Sequence, residues 1–476
     1  MTGKQRIAGL LVGCMLSTIA IGPAQAAVIS VTKEGSTVSS SKENVTKSTV
    51  ISSAERKTDS KTAAVTKNDT AKESRRGKEA PATVPRELGP AVRVLIGSRA
   101  GAFSLSSLAG IRIFDEAHTY CKELKKPVSV TVSLTGGQVA INGKKMGRVA
   151  YIEPAVSSLG DSQAAVNVNG TWYRGKLVVS VAGSSMRLVN EVPMEHYIYG
   201  VVPKEAVPTW PAEALKAQAV AARTYAMYTM ATTKGDSYDL EPTVAHQVYG
   251  GKGAEFAATT AAVDATRGIV MIYGGAPIQA LFHADGGGYT EDSVHVWGGH
   301  EPYLKGVKDY AHNGDTSAWT VRLTRAQLES KLRAAGKDVG TLKEIKLSPL
   351  RKRPMNESDR GVSGRIKSAL FVGSKRSLTI SGDSLMKLLG LKSTLFDFYV
   401  NVRPPATADS FKKPKAYHRF KKANDIVFIR GYGWGHGLGM SQWGAAAMAQ
   451  KAGNAKEYYK TILGHYYTGI TFDKQY

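Results

Sequence analysis

A glutamate flanked by two prolines is the first residue in this sequence that could carry acid–base chemistry. Glu205 stands in the segment VVPKEAVPTW, between Pro203 and Pro208. Proline restricts the backbone and holds neighbouring side chains in place, so we expect a stiff loop here. A carboxyl group set among valines and a tryptophan takes a raised pKa and can serve as a general acid. An ordinary surface glutamate beside a lysine is the alternative.

A glycine-rich stretch near the C-terminus could line a ligand site. The sequence GYGWGHGLGMSQWGAAAMAQ spans residues 431–450 and interleaves glycines with aromatic residues before an alanine-rich helix. Glycine permits positive φ angles and close approach of another chain. The stretch lacks the GxxxxGK[ST] pattern, which argues against nucleotide binding, and its indole rings suit the faces of sugars. We expect Trp434, His436, Gln442 and Trp443 to surround a ligand; a core position for Trp443 is the alternative.

Basic and hydroxyl side chains recur at spacings that could hold such a ligand. Lys216 and Arg223 are seven residues apart in a predicted helix, so they share a face. That cationic stripe either faces solvent or binds an acidic or hydroxyl-rich ligand. Tyr303 and Lys305 follow in the segment EPYLKGV and would point the same way if that segment is extended.

Histidines gather in the segment LFHADGGGYTEDSVHVWGGH. His283 ends a predicted strand before three glycines, and Asp285, His295 and His300 follow it. This set raises the question of a zinc site, but its spacing matches no standard ligand pattern. The sequence therefore predicts no metal cofactor.

Strand patterns dominate the first folded part of the chain, and an alanine-rich helix follows them. Short apolar or alternating runs predict strands at 92–97, 128–134, 149–152, 171–181 and 186–192. The run AEALKAQAVAARTYAMYTMA after Pro211 predicts a long central helix. Further helices are predicted at 254–267, 325–335, 382–389, 444–451 and 455–463, and strands at 269–273, 278–283 and 426–429. The pattern predicts an α+β fold, a single large domain with a β-rich N-terminal part.

The N-terminus has the composition of an export signal. Lys4 and Arg6 precede an apolar run that ends near a small-residue cleavage site at Ala26, so residues 1–26 are predicted to be a signal peptide. The apolar run is short for a membrane anchor. A lipoprotein signal ending at Cys14 is the other alternative, and continuation of the apolar run past Cys14 favours cleavage after Ala26.

The next segment and the overall charge suggest where the protein works. Residues 27–90 are rich in Ser, Thr and Lys and poor in aromatics, which predicts a disordered linker before a folded domain at 91–476. Cleavage leaves Cys121 as the lone cysteine, so an internal disulfide is excluded. The formal net charge of +24 implies an anionic partner. For an exported protein, anionic wall polymers or a membrane surface fit better than nucleic acid.

Four segments in this order resemble the SpoIID/LytB family of cell-wall proteins. They are GVVPKEAVPTWPAEALKAQAVAARTYA, FHADGGGYTE, SGRI and GWGHGLGMSQWGA, and the similarity extends over most of residues 92–472. The resemblance implies action on bacterial peptidoglycan. One branch of the family consists of lytic transglycosylases that cleave glycan strands stripped of stem peptides. Another branch is described as amidase enhancers, which need not be catalytic.

The resemblance also assigns roles by position. The family's catalytic glutamate falls on Glu205. Together with the side chains considered above, the expected substrate-binding residues are Lys216, Arg223, His283, Tyr303, Lys305, His436, Gln442 and Trp443. Some relatives bind zinc through cysteines near the first motif histidine; positions 284–288 here hold no cysteine, which argues against zinc.

The implied reaction breaks a glycosidic bond without consuming water. Protonated Glu205 donates its proton to the oxygen between MurNAc and GlcNAc, and the carboxylate then takes the proton of the MurNAc 6-hydroxyl, which closes onto C1. The product is a 1,6-anhydro sugar. The expected partners are peptidoglycan glycan strands and, for an enhancer, a wall amidase. A hydrolase that leaves reducing ends is the third alternative.

Overall fold

The computed structural model describes residues 86–155, 164–310, 318–405 and 418–476. The predicted signal peptide and residues 27–85 of the predicted linker lie outside the described residues. Arg86–Leu88 form a short 3-10 turn with a buried Leu88, so the folded part begins before residue 91. Within the described ranges, no helix has the length and apolar character needed to cross a membrane.

The N-terminal part is built from antiparallel strands. Its elements are β1 (Ala91–Arg99), β2 (Phe103–Ser107), β3 (Ile111–Phe114), β4 (Tyr120–Leu124), β5 (Val128–Thr135), β6 (Gln138–Ile141), β7 (Lys144–Gly147), β8 (Val149–Pro154), β9 (Val166–Val168), β10 (Thr171–Tyr173), β11 (Lys176–Ala182) and β12 (Ser185–Pro193). They form two sheets, in the orders β1-β12-β11-β8-β3-β4 and β10-β9-β2-β5-β6-β7. Apolar residues of both sheets share one core, to which strands such as β2, β5 and β11 contribute every second residue.

The rest of the chain mixes helices with short strands. Its elements are α1 (Met194–Glu205), α2 (Ala212–Thr232), α3 (Ala257–Ala265), β13 (Ile269–Tyr273), β14 (Ala276–Pro277), β15 (Phe282–His283), α4 (Ser293–Val296), β16 (Trp319–Thr324), α5 (Arg325–Ala334), β17 (Leu342–Lys346), β18 (Ser368–Gly373), β19 (Ser377–Ser381), α6 (Gly382–Leu389), β20 (Phe396–Val400), β21 (Ile426–Gly431), β22 (Met440–Ser441), α7 (Gln442–Ala452), α8 (Tyr458–Tyr466) and β23 (Thr471–Lys474). The α+β class predicted from the sequence is confirmed.

Two further cores organise these elements. The larger one surrounds α2, which packs against α1, α3, α7 and α8. Alanine occupies eight of the 21 positions of α2, which lets the neighbouring helices approach closely. The smaller core lies under the sheets β16-β21-β20 and β17-β18-β19 and is covered by α5 and α6.

Helix α1 is the main element that the sequence patterns missed. The segment contains Gly200 and Pro203, both of which disfavour a helix interior. The structure shows why Gly200 is needed: an added Cβ would lie 2.5 Å from the Tyr249 ring and 2.9 Å from the carbonyl oxygen of Gly251. Glu205 is therefore the last residue of a helix, and the expectation of a loop at this position was wrong.

A buried ion pair joins the beginning of α1 to the middle of α2. Arg223 Nε lies 2.8 Å from Glu195 Oε1, and Arg223 Nη2 lies 2.7 Å from Glu195 Oε2. Both side chains are fully buried. The same carboxylate accepts hydrogen bonds from the backbone N–H of Gly268 at 3.1 Å and from the hydroxyl of Tyr476 at 2.6 Å. The pair thus ties both helices to the chain before β13 and to the last residue.

Loss of the arginine should destabilise the fold. Arg223→Ala leaves the Glu195 carboxylate buried without its cation, and we expect a loss of about 3–5 kcal/mol in the free energy of unfolding. The measurement is urea denaturation followed by circular dichroism. Arg267→Ala, which removes a partly exposed pair with Asp264, is the matched control and should cost about 1 kcal/mol or less. Equal losses for the two variants would contradict the clamping role of Arg223.

Candidate active site

The carboxyl group of Glu205 projects from the C-terminal end of α1 and is held by two hydrogen bonds. Its Oε1 accepts the backbone N–H of Val248 at 2.8 Å, and the Gln442 side chain supplies the second bond. The residue as a whole is half-buried, while its carboxyl group is surrounded by protein atoms. This arrangement fixes the group and leaves part of the residue accessible.

Burial raises the pKa of Glu205 above its ordinary value of 4.5. The hydrogen bonds from Val248 and Gln442 act in the opposite direction, because they stabilise the carboxylate, but burial outweighs them. The negative end of the α1 dipole also disfavours a carboxylate at this position. No neighbouring charge is among the causes of the shift. The group therefore keeps its proton to a higher pH than an exposed glutamate does.

Gln442 connects Glu205 to the long helix. It is the first residue of α7 and is buried, and its Nε2 lies 3.4 Å from the Oε1 of the buried Gln218 in α2. Side chains from α1, α2 and α7 thus meet at one point. The glycine-rich turn that precedes α7 sets the position of Gln442, so the two unusual segments of the sequence come together at Glu205.

Two tryptophans from the same segments lie against each other. Trp210 precedes α2, and Trp443 follows Gln442 in α7. Their ring centroids are 4.9 Å apart with the planes inclined by 62°, an edge-to-face contact. Both rings are half-buried, so neither of the two simple expectations for Trp443, a core residue or a fully exposed platform, describes it completely.

The two motif histidines are buried side by side in the glycine-rich turn. Strand β15 pairs in parallel with β22, and the rings of His283 and His436 lie 5.5 Å apart. His436 Nδ1 accepts the N–H of Leu438 at 3.0 Å, so Nε2 carries the proton and donates to the carbonyl of Phe282. His283 Nδ1 lies 3.0 Å from the carbonyl of Leu438. These bonds fix the shape of the turn.

Burial keeps both imidazoles neutral. It lowers the pKa of His436 to about 4, with the nearby Arg365 acting in the same direction. Burial also lowers the pKa of His283 well below its ordinary value, and the charges of His436 and Arg365 add to that shift. The two rings are thus poorly suited to exchange protons with a substrate at neutral pH.

Tyr303 and Lys305 differ in their surroundings. Tyr303 is buried in a turn, its ring lies 5.6 Å from that of Tyr273, and its hydroxyl accepts the N–H of Gln279 at 3.2 Å. Lys305 is half-buried. The segment is a turn rather than an extended strand, so the geometric reason for pointing both side chains the same way does not hold. None of the contacts within the described ranges joins either residue to Glu205.

The two basic residues of α2 do not form an open stripe. Lys216 Nζ lies 2.6 Å from Glu213 Oε1, one helical turn away, and is half-buried. Arg223 is fully buried, and its guanidinium donates hydrogen bonds to Glu195 and to the carbonyls of Ile269 and Val263. Direct contact between Arg223 and a substrate, expected from the resemblance, is incompatible with this position.

Sequence reasoning missed two groups that contact Glu205 directly or through Gln442. The backbone N–H of Val248 leaves no signal in the sequence. Gln218 had one: it is a polar residue between two alanines on a helix that packs on several sides. Among the described residues, no group of three or more His, Cys, Asp or Glu side chains is arranged to hold a metal ion.

The sequence of this chain is similar to a family model and to several known proteins. A family model described as Stage II sporulation protein matches residues 182–273, which contain α1, α2 and Val248. An uncharacterized protein of Brachyspira hyodysenteriae is 31% identical over 78% of this chain and 94% of its own length. The amidase enhancer of Bacillus subtilis is 33% identical over 57% of this chain and 39% of its own length. Stage II sporulation protein D of Bacillus amyloliquefaciens is 29% identical over 61% of this chain and 77% of its own length.

This chain belongs to the SpoIID/LytB family. As a member, it is related both to a protein named for sporulation and to one named for enhancing an amidase. The expectation that the chain binds no zinc stays a prediction, which the side chains near His283 support. Positions 284–288 offer Asp285 as their one ligand-type side chain, and His283 already uses Nδ1 on the backbone.

The neutral His436 should make stability depend on acidity. Between about pH 6.5 and pH 4 this histidine binds a proton in the unfolded chain, whereas the buried ring of the folded protein stays neutral. The free energy of unfolding therefore falls as the pH falls through this window. His436→Gln should reduce that fall by about 2–3 kcal/mol between pH 7 and pH 4. Urea denaturation at both values measures it. His196, whose pKa is also lowered to about 4 by burial, remains in both proteins and cancels from the comparison. Parallel pH profiles would contradict the account of His436.

Proposed function

We propose that this SpoIID/LytB protein is exported and acts as a peptidoglycan lytic transglycosylase with Glu205 as its catalytic acid and base. The observation that carries the proposal is a buried carboxyl group with a raised pKa, held in place by the backbone N–H of Val248. A general acid must hold its proton near the working pH and must lie where a substrate can reach it. Burial moves Glu205 towards the first requirement by raising its pKa, and the partial exposure of the residue supports the second.

The surroundings of Glu205 favour a mechanism with one carboxylate. Glycosidases that use two carboxylates hold them roughly 5–9.5 Å apart. A second carboxylate at such a distance would repel the charge of Glu205, yet among the described residues no acidic group is a cause of its pKa shift. A single group that first gives and then takes a proton fits this environment.

The steps then follow from the position of that group. Protonated Glu205 donates to the oxygen between MurNAc and GlcNAc as the C1–O bond breaks and the sugar gains oxocarbenium character. The carboxylate, held by Val248 and Gln442, accepts the proton of the MurNAc 6-hydroxyl while that oxygen bonds to C1. The products are a GlcNAc end and a 1,6-anhydroMurNAc end, and Glu205 regains its starting proton. The face of Trp210 or Trp443 offers a surface on which a sugar ring can stack.

Replacement of the glutamate by its amide tests the assignment. Glu205→Gln keeps an acceptor for the Val248 N–H but removes the transferable proton, so we expect at least about a 100-fold loss of turnover. The assay incubates the protein with glycan strands freed of stem peptides and weighs the products by mass spectrometry. New 1,6-anhydro ends mark the reaction.

A matched substitution and the product mass complete the test. Glu344 lies on β17 and forms a partly exposed ion pair with Arg419. Glu344→Gln removes the same charge as Glu205→Gln does and should leave turnover unchanged. Undiminished turnover in Glu205→Gln would remove Glu205 from the mechanism. Fragments that are heavier by one water and end in reducing MurNAc would show that the bond is hydrolysed. The proposed transglycosylase activity would then be wrong.

An enhancer role is the second candidate, favoured by the similarity to the amidase enhancer of Bacillus subtilis. Under this alternative the protein binds the wall and stimulates a separate amidase. The same incubation would then yield no glycan fragments, and addition of a wall amidase would release stem peptides faster than the amidase does alone. Glu205→Gln would leave that stimulation intact.

A further inference from the structure

A cavity lies between α6 and the part of the glycine-rich turn that carries His436. Its volume is about 200 Å³, and its walls include His295, Trp297, Arg365, Lys367, Asp383 and His436. The volume is below the roughly 300–1,000 Å³ of sites for drug-sized ligands, so a single sugar substituent or ring suits it better than a long chain. His436 belongs to the same turn as Gln442, which contacts Glu205. The cavity and the candidate active site thus share one structural element.

Arg365, which lines this cavity, has one donor atom without a hydrogen-bond partner. Only 2% of the residue is exposed. Its Nε lies 3.2 Å from the carbonyl of His436 and its Nη1 3.5 Å from the carbonyl of Gly286. Its Nη2 is buried and has no hydrogen-bond partner in the described ranges. A buried guanidinium with an unpaired N–H is costly, which points to a ligand that completes its bonding.

The carboxylates around Arg365 are already engaged elsewhere. Glu291 accepts the backbone N–H groups of Val362 and Ser363 and the hydroxyl of Ser363. Asp309 accepts the N–H of Gly286 and the hydroxyl of Tyr466. Glu291 and Asp309 therefore act on the pKa of Arg365 through space, and the charge of Asp285 raises that pKa as well.

The glycine-rich turn is shaped to leave room for this guanidinium. Gly437 has φ +86°, and a Cβ added there would lie 2.2 Å from Arg365 Nε. The backbone N–H of Arg365 donates to Ser363 Oγ at 3.2 Å, and Ser363 is itself held by Glu291. Three motifs of the sequence, GYTE, SGRI and GWGHG, therefore converge to place one arginine. Burial lowers the pKa of Arg365 to about 10, so it stays cationic at neutral pH.

The remaining walls suit a sugar acid. Lys367 is half-exposed and adds positive charge, whereas Asp383 is paired with Lys387 at 2.7 Å. Trp297 is 42% exposed, and its ring lies 5.2 Å from that of His436. A cationic floor beside an accessible indole can bind a carboxylate and the ring that carries it.

We propose that this cavity is a subsite for the lactyl carboxylate of an N-acetylmuramic acid residue, with Arg365 as the buried anchor and Trp297 as the wall against the sugar ring. The proposal rests on the proposed function, because it takes glycan strands as the ligand. Within this subsite Arg365 makes the kind of substrate contact that the burial of Arg223 excludes for that residue.

Binding of small sugars to the full chain tests the subsite. The probes are N-acetylmuramic acid, its methyl ester, N-acetylglucosamine and inorganic phosphate, titrated by ligand-observed NMR. We expect the acid to bind about tenfold or more tightly than the ester, because a charge-assisted hydrogen bond is lost in the ester. N-acetylglucosamine should match the ester. Equal binding of acid and ester would overturn the proposal, and phosphate that binds as tightly as the acid would overturn the assignment to a sugar.

Variants test whether Arg365 and Lys367 cause the difference in affinity between the acid and the ester. Arg365→Gln should abolish the difference between acid and ester, and Lys367→Gln should reduce it several-fold. Lys375→Gln, which removes an exposed lysine from the Asp338 pair, is the matched control and should preserve it. If Arg365→Gln does not fold, Lys367→Gln together with the acid–ester ratio of the unmodified chain decides the question. A difference that persists in both Arg365→Gln and Lys367→Gln would overturn the proposal.

The two proposals can fail separately. A chain that distinguishes the acid from the ester through Arg365 but leaves glycan strands uncut keeps the subsite and loses the transglycosylase. A chain that cuts strands but binds acid and ester equally keeps the transglycosylase and loses the subsite.

Discussion

The buried pair of Glu195 and Arg223 is the constraint on which the rest of the structure depends. It lies at the beginning of α1 and fixes that helix against α2, while Glu205 lies at the other end of α1, ten residues further along the helix. Removal of one partner of such a pair is costly, because the other charge stays in the protein interior. The same carboxylate holds Tyr476, so the end of the chain supports the helix that carries the catalytic candidate.

At Glu205 two opposing effects decide the chemistry. Burial favours the protonated acid, and the hydrogen bonds from Val248 and Gln442 favour the carboxylate. Burial prevails in the free protein, so the group is prepared to give a proton. The same hydrogen bonds then stabilise the carboxylate that forms, which makes it available as the base of the second step. One environment therefore supports both halves of the proposed cycle.

The glycine-rich turn gives each of its neighbours a defined place. His283 and His436 stay neutral and bind its backbone, Gln442 extends from its end towards Glu205, and Gly437 lets Arg365 approach it. The histidines, which the sequence led us to expect as substrate-binding residues, hydrogen-bond the backbone and hold the turn. Of the residues near this turn, Glu205 and Arg365 are the two that we propose contact the substrate.

Much of this arrangement could be predicted from the sequence, and the exceptions have physical reasons. The long run of helix formers after Pro211 and the alternating strands before residue 193 report local preferences, and both formed as expected. Helix α1 was missed because Gly200 and Pro203 signal a break, whereas packing against Tyr249 requires the glycine. Arg223 was read as a binding residue because its partner Glu195 lies 28 positions earlier, in a helix that local patterns do not reveal. The contact from Val248 is made by the backbone and has no side-chain signature.

The pKa of Glu205 tests its proposed role as the catalytic acid most directly. It can be measured from the carbon-13 chemical shift of the carboxyl group as the pH is varied. The variant Glu205→Gln assigns the resonance. The account predicts a midpoint above 4.5, the ordinary value for this group. A midpoint at or below that value would show that the site stabilises the carboxylate in the free protein, and Glu205 would then be unsuited to begin the reaction as an acid.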